Sequence, residues 1–140
     1  MNIELLNAAM VVSHYFDQYP QLMEPYLEKL ILNLEKTDLH VAIKRNSLRI
    51  LQFMSVPEKL TSTLFDRCLN YLTDPEEPIA VKAFSMQVLY NCCKVYPELT
   101  QEVIPIIETL VEYSESMGIL SRGKKIATKL TRLQQKVNRG

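Results

Sequence analysis

The sequence predicts an all-helical chain in which helix pairs stack side by side as a solenoid, and three observations carry that expectation. Leucine, isoleucine, alanine and glutamate recur at helical spacing between short breaks. Only three glycines occur in 140 residues. One line is written nearly twice, VAIKRNSLRIL over 41–51 and IAVKAFSMQVL over 79–89, at a shift of 38 residues.

Breaks at Pro20, Pro57, Pro75, Pro78 and Pro97 divide the chain into seven expected helices, at 3–18, 21–36, 40–55, 58–73, 78–95, 98–115 and 119–137. Thr37 with Asp38, and Thr73 with Asp74, offer side-chain oxygens to the free amides at the starts of the third and fifth helices. Glu76 and Glu77 suit the positive end of the fifth.

The first, third, fifth and seventh helices superpose at the shift of 38. Leu5, Ala9, Val12 and Phe16 fall on Ile43, Ser47, Ile50 and Met54, on Val81, Ser85, Val88 and Cys92, and on Ile119, Gly123, Ile126 and Leu130. The i, i+4, i+7, i+11 spacing makes each set one buried face. Its second member is always small, which predicts a close helix crossing at Ala9, Ser47, Ser85 and Gly123. The intervening helices keep the same register: Leu27, Leu30, Ile31 and Leu34 map on Phe65, Cys68, Leu69 and Leu72, then on Val103, Ile106, Ile107 and Leu110. Each unit therefore has a leading and a trailing helix. The expected domain is single, 1–140, with units at about 3–38, 39–76, 77–115 and 116–138, the last opened by the seventh helix alone.

Tetratricopeptide and ankyrin units run near 34 and 33 residues, and HEAT and armadillo units about 40 to 47. The two quoted lines resemble the HEAT pattern of an apolar residue, a base, and a small residue three positions on: Lys44 with Ser47, and Lys82 with Ser85. YPQLMEPYLEKLI, DPEEPIAVKAFSMQVLYNCCKVYPEL and SRGKKIATKL are similar to a family of small bacterial HEAT-like proteins without assigned biochemistry. The resemblance covers most of the chain and implies a right-handed α–α superhelix of about three and a half helix pairs. Members of that family are longer at the amino end, which implies a short member or a fragment.

Sixteen basic and sixteen acidic side chains cancel, so the molecule has no net field to draw it onto nucleic acid or anionic lipid. Cys68, Cys92 and Cys93 are odd in number and lack CxxC spacing. They read as reduced, buried thiols and hence as a cytoplasmic protein. MNIELLNAAMVV has neither a basic segment nor a long apolar run, so no signal peptide or membrane span is expected.

No HExxH, phosphate-cradling glycine loop or GxSxG occurs. His14 and Asp17 are spaced as a surface pair, and His40 as a cap or surface residue. No catalytic, cofactor-binding or metal-binding residues are therefore expected, and no cofactor. The HEAT-like family also includes DNA glycosylases with a basic groove and tryptophan. This chain has no Trp, and its trailing helices carry Glu24, Glu28, Glu35, Asp66, Glu102, Glu108 and Glu112, which repel phosphate.

Between Asp74 and Glu115 eight carboxylates face only Lys82 and Lys94, and beyond Ser121 the sign reverses. Arg122, Lys125, Lys129, Arg132, Lys136 and Arg139 alternate three and four apart and form one helical stripe. Such a stripe suits a solvated cap on the last helix or a partner-binding surface. The leading expectation is a non-catalytic module for protein–protein interaction or scaffolding. A homo-oligomer through acidic 74–115 against basic 122–139 is one form of it. The alternative is a nucleic-acid binder using the basic C-terminal helix.

Overall fold

The computed structural model describes residues 18–36 and 39–139. The expected helix at 3–18, with Ala9, His14 and Asp17, lies outside the described residues except for its last position, as do Thr37 and Asp38. Six α-helices follow: α1 (Pro20–Asn33), α2 (Val41–Leu51), α3 (Thr61–Thr73), α4 (Ile79–Val95), α5 (Thr100–Tyr113) and α6 (Met117–Arg139). No strand occurs among the described residues. In the repeat register α2, α4 and α6 are leading helices, and α1, α3 and α5 are trailing ones.

Two trailing helices begin later than their periodicity suggests, because each enters through a single 3-10 turn, Glu58–Leu60 before α3 and Pro97–Leu99 before α5. The cause is a repeated local device. A proline opens the turn, and a buried threonine donates back to its carbonyl: Thr61 Oγ1 to Pro57 O at 3.0 Å, Thr100 Oγ1 to Pro97 O at 2.8 Å. At the other boundary, α2 stops at Leu51 rather than near 55. Phe53 and Met54 bond back to Ile50 and Leu51 in tight turns, and Pro57 disfavours helical backbone in the residue before it.

Caps differ in part from expectation. His40 is the N-cap of α2, its Nδ1 accepting from Ala42 N at 3.0 Å. Ser116 Oγ accepts from Ile119 N at 3.3 Å in the first turn of α6. Thr73 and Asp74 do not cap α4, because that helix begins only at Ile79 after Pro78. Asp74 Oδ1 instead closes a turn on Glu76 N at 2.9 Å, while Thr73 donates within α3.

The expected apolar sets make up most of the core. Val81, Val88, Cys92, Ile119, Ile126 and Leu130 are buried on the leading helices, as are Ile50 on α2 and Met54 just beyond its end. Leu27, Ile31, Leu34, Phe65, Cys68, Leu72, Val103 and Ile107 are buried on the trailing ones, with Leu30, Leu69, Ile106 and Leu110 packed partly against them. Ile43 departs from its column at 51% exposure. It stands in the first turn of α2.

Packing runs chiefly from each trailing helix to the leading helix after it, α3 on α4 and α5 on α6, while α2, α4 and α6 lie side by side in one row. The small-residue column sits in these contacts. A Cβ added to Gly123 would stand 2.5 Å from Val111 Cγ2, 3.7 Å from Ile107 Cγ2 and 3.8 Å from Met86 Cε. Ser85 is fully buried with its hydroxyl against the Cys68 thiol of α3 and no oxygen or nitrogen partner. Small size is what the described members of the column share.

Replacing Gly123 by alanine tests this. Overpacking costs about 1 to 3 kcal/mol and the helix gains about 1 from losing a glycine. Gly123→Ala is expected to unfold at lower urea concentration than the parent, and Val111→Ala in the same chain is expected to recover part of the loss. An unchanged midpoint for Gly123→Ala would show that the crossing is not tight.

Candidate partner-binding face on the leading helices

The three described leading helices share a compositional property that windows along the chain conceal. Among α2, α4 and α6 there is no Asp or Glu, yet they hold twelve of the sixteen lysines and arginines. The trailing helices carry Glu24, Glu28, Asp66, Glu102, Glu108 and Glu112. Because helices of one kind lie in one row, a neutral chain becomes a molecule with its charges sorted by layer.

Repeat register shows what the row presents to solvent. Asn46, Phe84 and Arg122 occupy one column, Arg49, Gln87 and Lys125 the next, then Gln52, Tyr90 and Thr128, with Lys94 beside Arg132 further along. Contacts across the columns are direct. Arg49 lies over the Phe84 ring with its guanidinium carbon 5.5 Å from the centroid. Lys94 and Lys129 both approach the Tyr90 ring, at 5.3 and 5.4 Å. Such contacts at half-exposed rings contribute about 0.5 to 1 kcal/mol each, enough to favour one cation position over free sweeping.

A polar seam underlies the face. Asn91, 4% exposed, donates from Nδ2 to Gln52 O at 3.0 Å and to Met54 O at 3.4 Å, satisfying carbonyls where α2 ends. Its Oδ1 accepts from Gln87 Nε2 at 3.1 Å. Arg122 donates from Nη1 to Gln52 Oε1 at 3.3 Å, so α6 reaches the end of α2 across the intervening α4.

Of the six stripe residues expected from sequence, Arg122 is half-buried in this seam and Lys129 is exposed while tied to Tyr90. Lys125, Arg132, Lys136 and Arg139 are exposed, and Lys136 and Arg139 lie in the last turn of α6, where positive charge is favoured. None of the six forms an ion pair among the described residues, nor do Arg45, Arg49 and Lys94. Sequence reasoning missed Arg49, Phe84, Tyr90 and Lys94 as members of the same face. The signal was available in part: the third, fifth and seventh expected helices, read in columns at the shift of 38, hold no carboxylate within 41–51, 79–95 and 117–139, whereas the first, at 3–18, carries Glu4 and Asp17.

α6 also differs from α4 on its side away from the row. Met86, Leu89 and Cys93 are buried on α4, whereas their register equivalents are Lys124, Ala127 and Thr131, of which Lys124 and Thr131 are exposed. A polar surface thus replaces the stacking surface, as at the ends of helical solenoids.

Little on the face suits bond-making chemistry. The free thiols of Cys68, Cys92 and Cys93 are buried. Burial pushes Cys68 and Cys93 up to about 12 and Cys92 in the same direction, away from nucleophilic thiolate. No group of His, Cys, Asp and Glu placed to hold a metal occurs among the described residues. No helix among them is long and apolar enough to cross a membrane.

Stacked helix pairs in constant register, a small-residue crossing and a continuous side-chain face define a helical-repeat protein. The HEAT repeat domain model matches residues 5–130, and the chain belongs to that family. Searches among curated proteins and among solved structures find no match to it.

Asn91→Ala leaves the Gln52 and Met54 carbonyls without their side-chain donor. Since an unsatisfied buried polar group costs about 1 to 3 kcal/mol, the urea midpoint is expected to fall accordingly. A midpoint within error of the parent would mean that the seam does not hold α2 to α4.

Proposed function

We propose that the protein is a non-catalytic helical-repeat module that binds an acidic segment of another protein along its leading-helix face. HEAT repeats commonly serve as scaffolds for protein interaction, and the single observation that gives this face its sign is the absence of any carboxylate on α2, α4 and α6. Arg49, Lys94, Lys125, Lys129 and Arg132 would supply the cations and Arg122 would frame them, with Lys136 and Arg139 extending the stripe. In this reading the chain is one right-handed superhelical domain with units at about 3–38, 39–76, 77–115 and 116–138, working in the cytoplasm. The acidic α5 of a second copy, with Glu102, Glu108 and Glu112, is one candidate for such a segment.

A second reading has its own support. A cation-rich surface free of carboxylates also suits a phosphate backbone, so nucleic acid is the alternative partner.

The two separate in one titration. A short fluorescein-labelled glutamate-rich peptide and labelled single- and double-stranded DNA are added at low salt, with Lys125→Glu/Arg132→Glu as the variant. The proposal expects saturable peptide binding, weakened at least about tenfold by the double charge reversal, since close charge pairs across interfaces couple by about 1.5 kcal/mol or more. DNA binding that falls steeply with salt, without peptide binding, would replace the first reading by the second. No binding of either at low salt would refute both.

A further inference from the structure

On the opposite layer, the repeat supplies its own template for a ligand. One unit earlier, a cleft of about 260 Å³ is lined by Leu34, Lys44, Arg67, Tyr71, Glu77 and their neighbours. Its charged groups are paired internally, although Glu77 Oε2 and Arg67 Nε are buried without a hydrogen-bond partner. Lys44 pairs with Glu77, both largely buried, and lies 4.9 Å from the centroid of the Tyr71 ring. Arg67 Nη2 donates to Glu35 Oε2 at 3.0 Å, and the Tyr71 hydroxyl donates to Leu34 O at 3.2 Å.

Shifted by 38 residues, the same place lies between α3 and α5, and its cleft is larger, about 460 Å³, with a mostly apolar lining that includes Leu72, Lys82, Pro105, Ile106, Thr109 and Leu110. The lysine is kept, as Lys82 for Lys44. What met the lysine is gone. Tyr71 becomes Thr109, whose hydroxyl turns back to Pro105 O at 2.8 Å, and Arg67 becomes Pro105. Glu115 stands where Glu77 stood, but it is exposed and forms no ion pair with Lys82, which has no carboxylate partner among the described residues.

We propose that this cleft binds a protein segment carrying an aromatic side chain next to a single carboxylate, the pair that Tyr71 and Glu77 provide internally one unit before. The ring would lie on Ile106 and Leu110 and the carboxylate would meet Lys82. The volume falls in the range of ligand pockets, which are mostly apolar with few polar anchors. Glu108 and Glu112 on α5 add negative charge near the cleft without lining it, which favours a monoanion over a polyanion. Apart from Lys82, which reaches it from α4, the site is lined from the trailing side, and it shares no residue with the basic face.

The probe is the peptide Ac-Gly-Tyr-Glu-Gly-amide, followed through amide and methyl NMR signals of the whole chain. Saturable shifts are expected at Lys82, Ile106, Thr109 and Leu110. Exchanging Glu for Gln or Tyr for Ala in the peptide, or Lys82→Gln in the protein, is expected to weaken binding at least about tenfold, as loss of a charge-assisted contact or a buried ring does. Thr109→Tyr restores the ring of the earlier unit and is expected to abolish binding with the helical circular dichroism intact. Equal binding of the three peptides, shifts confined to other residues, or undiminished binding by Lys82→Gln would each overturn the proposal. The Lys125→Glu/Arg132→Glu protein is expected to bind this peptide like the parent, which keeps the two sites' tests separate.

Discussion

Each leading helix lies close against the trailing helix before it, and the rest of the structure depends on that approach. At Gly123 the distance is so short that a single added carbon would reach Val111. At Ser85 a side chain no larger than a hydroxymethyl is enclosed completely. Close contact there brings α2, α4 and α6 into one row, and the row in turn lets side chains 38 residues apart, or twice that less a few, meet one another. Asn91 reaching Gln52 and Arg122 reaching the same residue are consequences of this spacing.

From the row follows a division of labour between packing and charge. Apolar residues of the leading helices point toward the trailing layer and are removed from water, which supplies most of the stabilisation. The outer positions of α2, α4 and α6 are free to carry cations, and no carboxylate on these three helices competes with them. The rings of Phe84 and Tyr90 then hold Arg49, Lys94 and Lys129 in place. Individually these contacts are weak, and their effect is to order a charged surface rather than to fold the chain. Ordered cations lose less freedom when a partner docks, which favours binding.

Much of this could be read before any coordinates, because period and register are properties of the sequence. The columns at Ser47, Ser85 and Gly123, the buried stripes and the thiol burial all follow from spacing and residue size. Other features depend on contacts that spacing does not encode. The 3-10 entries to α3 and α5 need Thr61 and Thr100 to turn back on proline carbonyls, and the end of α2 is held by a side chain from α4. Charge was the subtler loss. A linear window from Asp74 to Glu115 counts Lys82 and Lys94 as exceptions in an acidic segment. In space the acidic residues belong to loops and α5, and Lys94 belongs to the basic row. The stripe on α6 was legible, but its companions on α2 and α4 appear only when the units are overlaid.

The clefts between trailing helices teach the same lesson from the other side. Repetition makes Lys44 and Lys82 equivalent, yet divergence at Tyr71, Arg67 and Glu77 leaves one cleft smaller with its lysine paired and the other larger with its lysine unpaired among the described residues. The likeness of the units records packing, and their differences set what each cleft can accept. The central claim, that the leading-helix layer is the binding surface, is tested most directly by hydrogen exchange of the full chain with and without saturating glutamate-rich peptide. The account predicts added protection in α2, α4 and α6 around Arg49, Tyr90, Lys94 and Lys129. Protection confined to α1, α3 and α5 would contradict it.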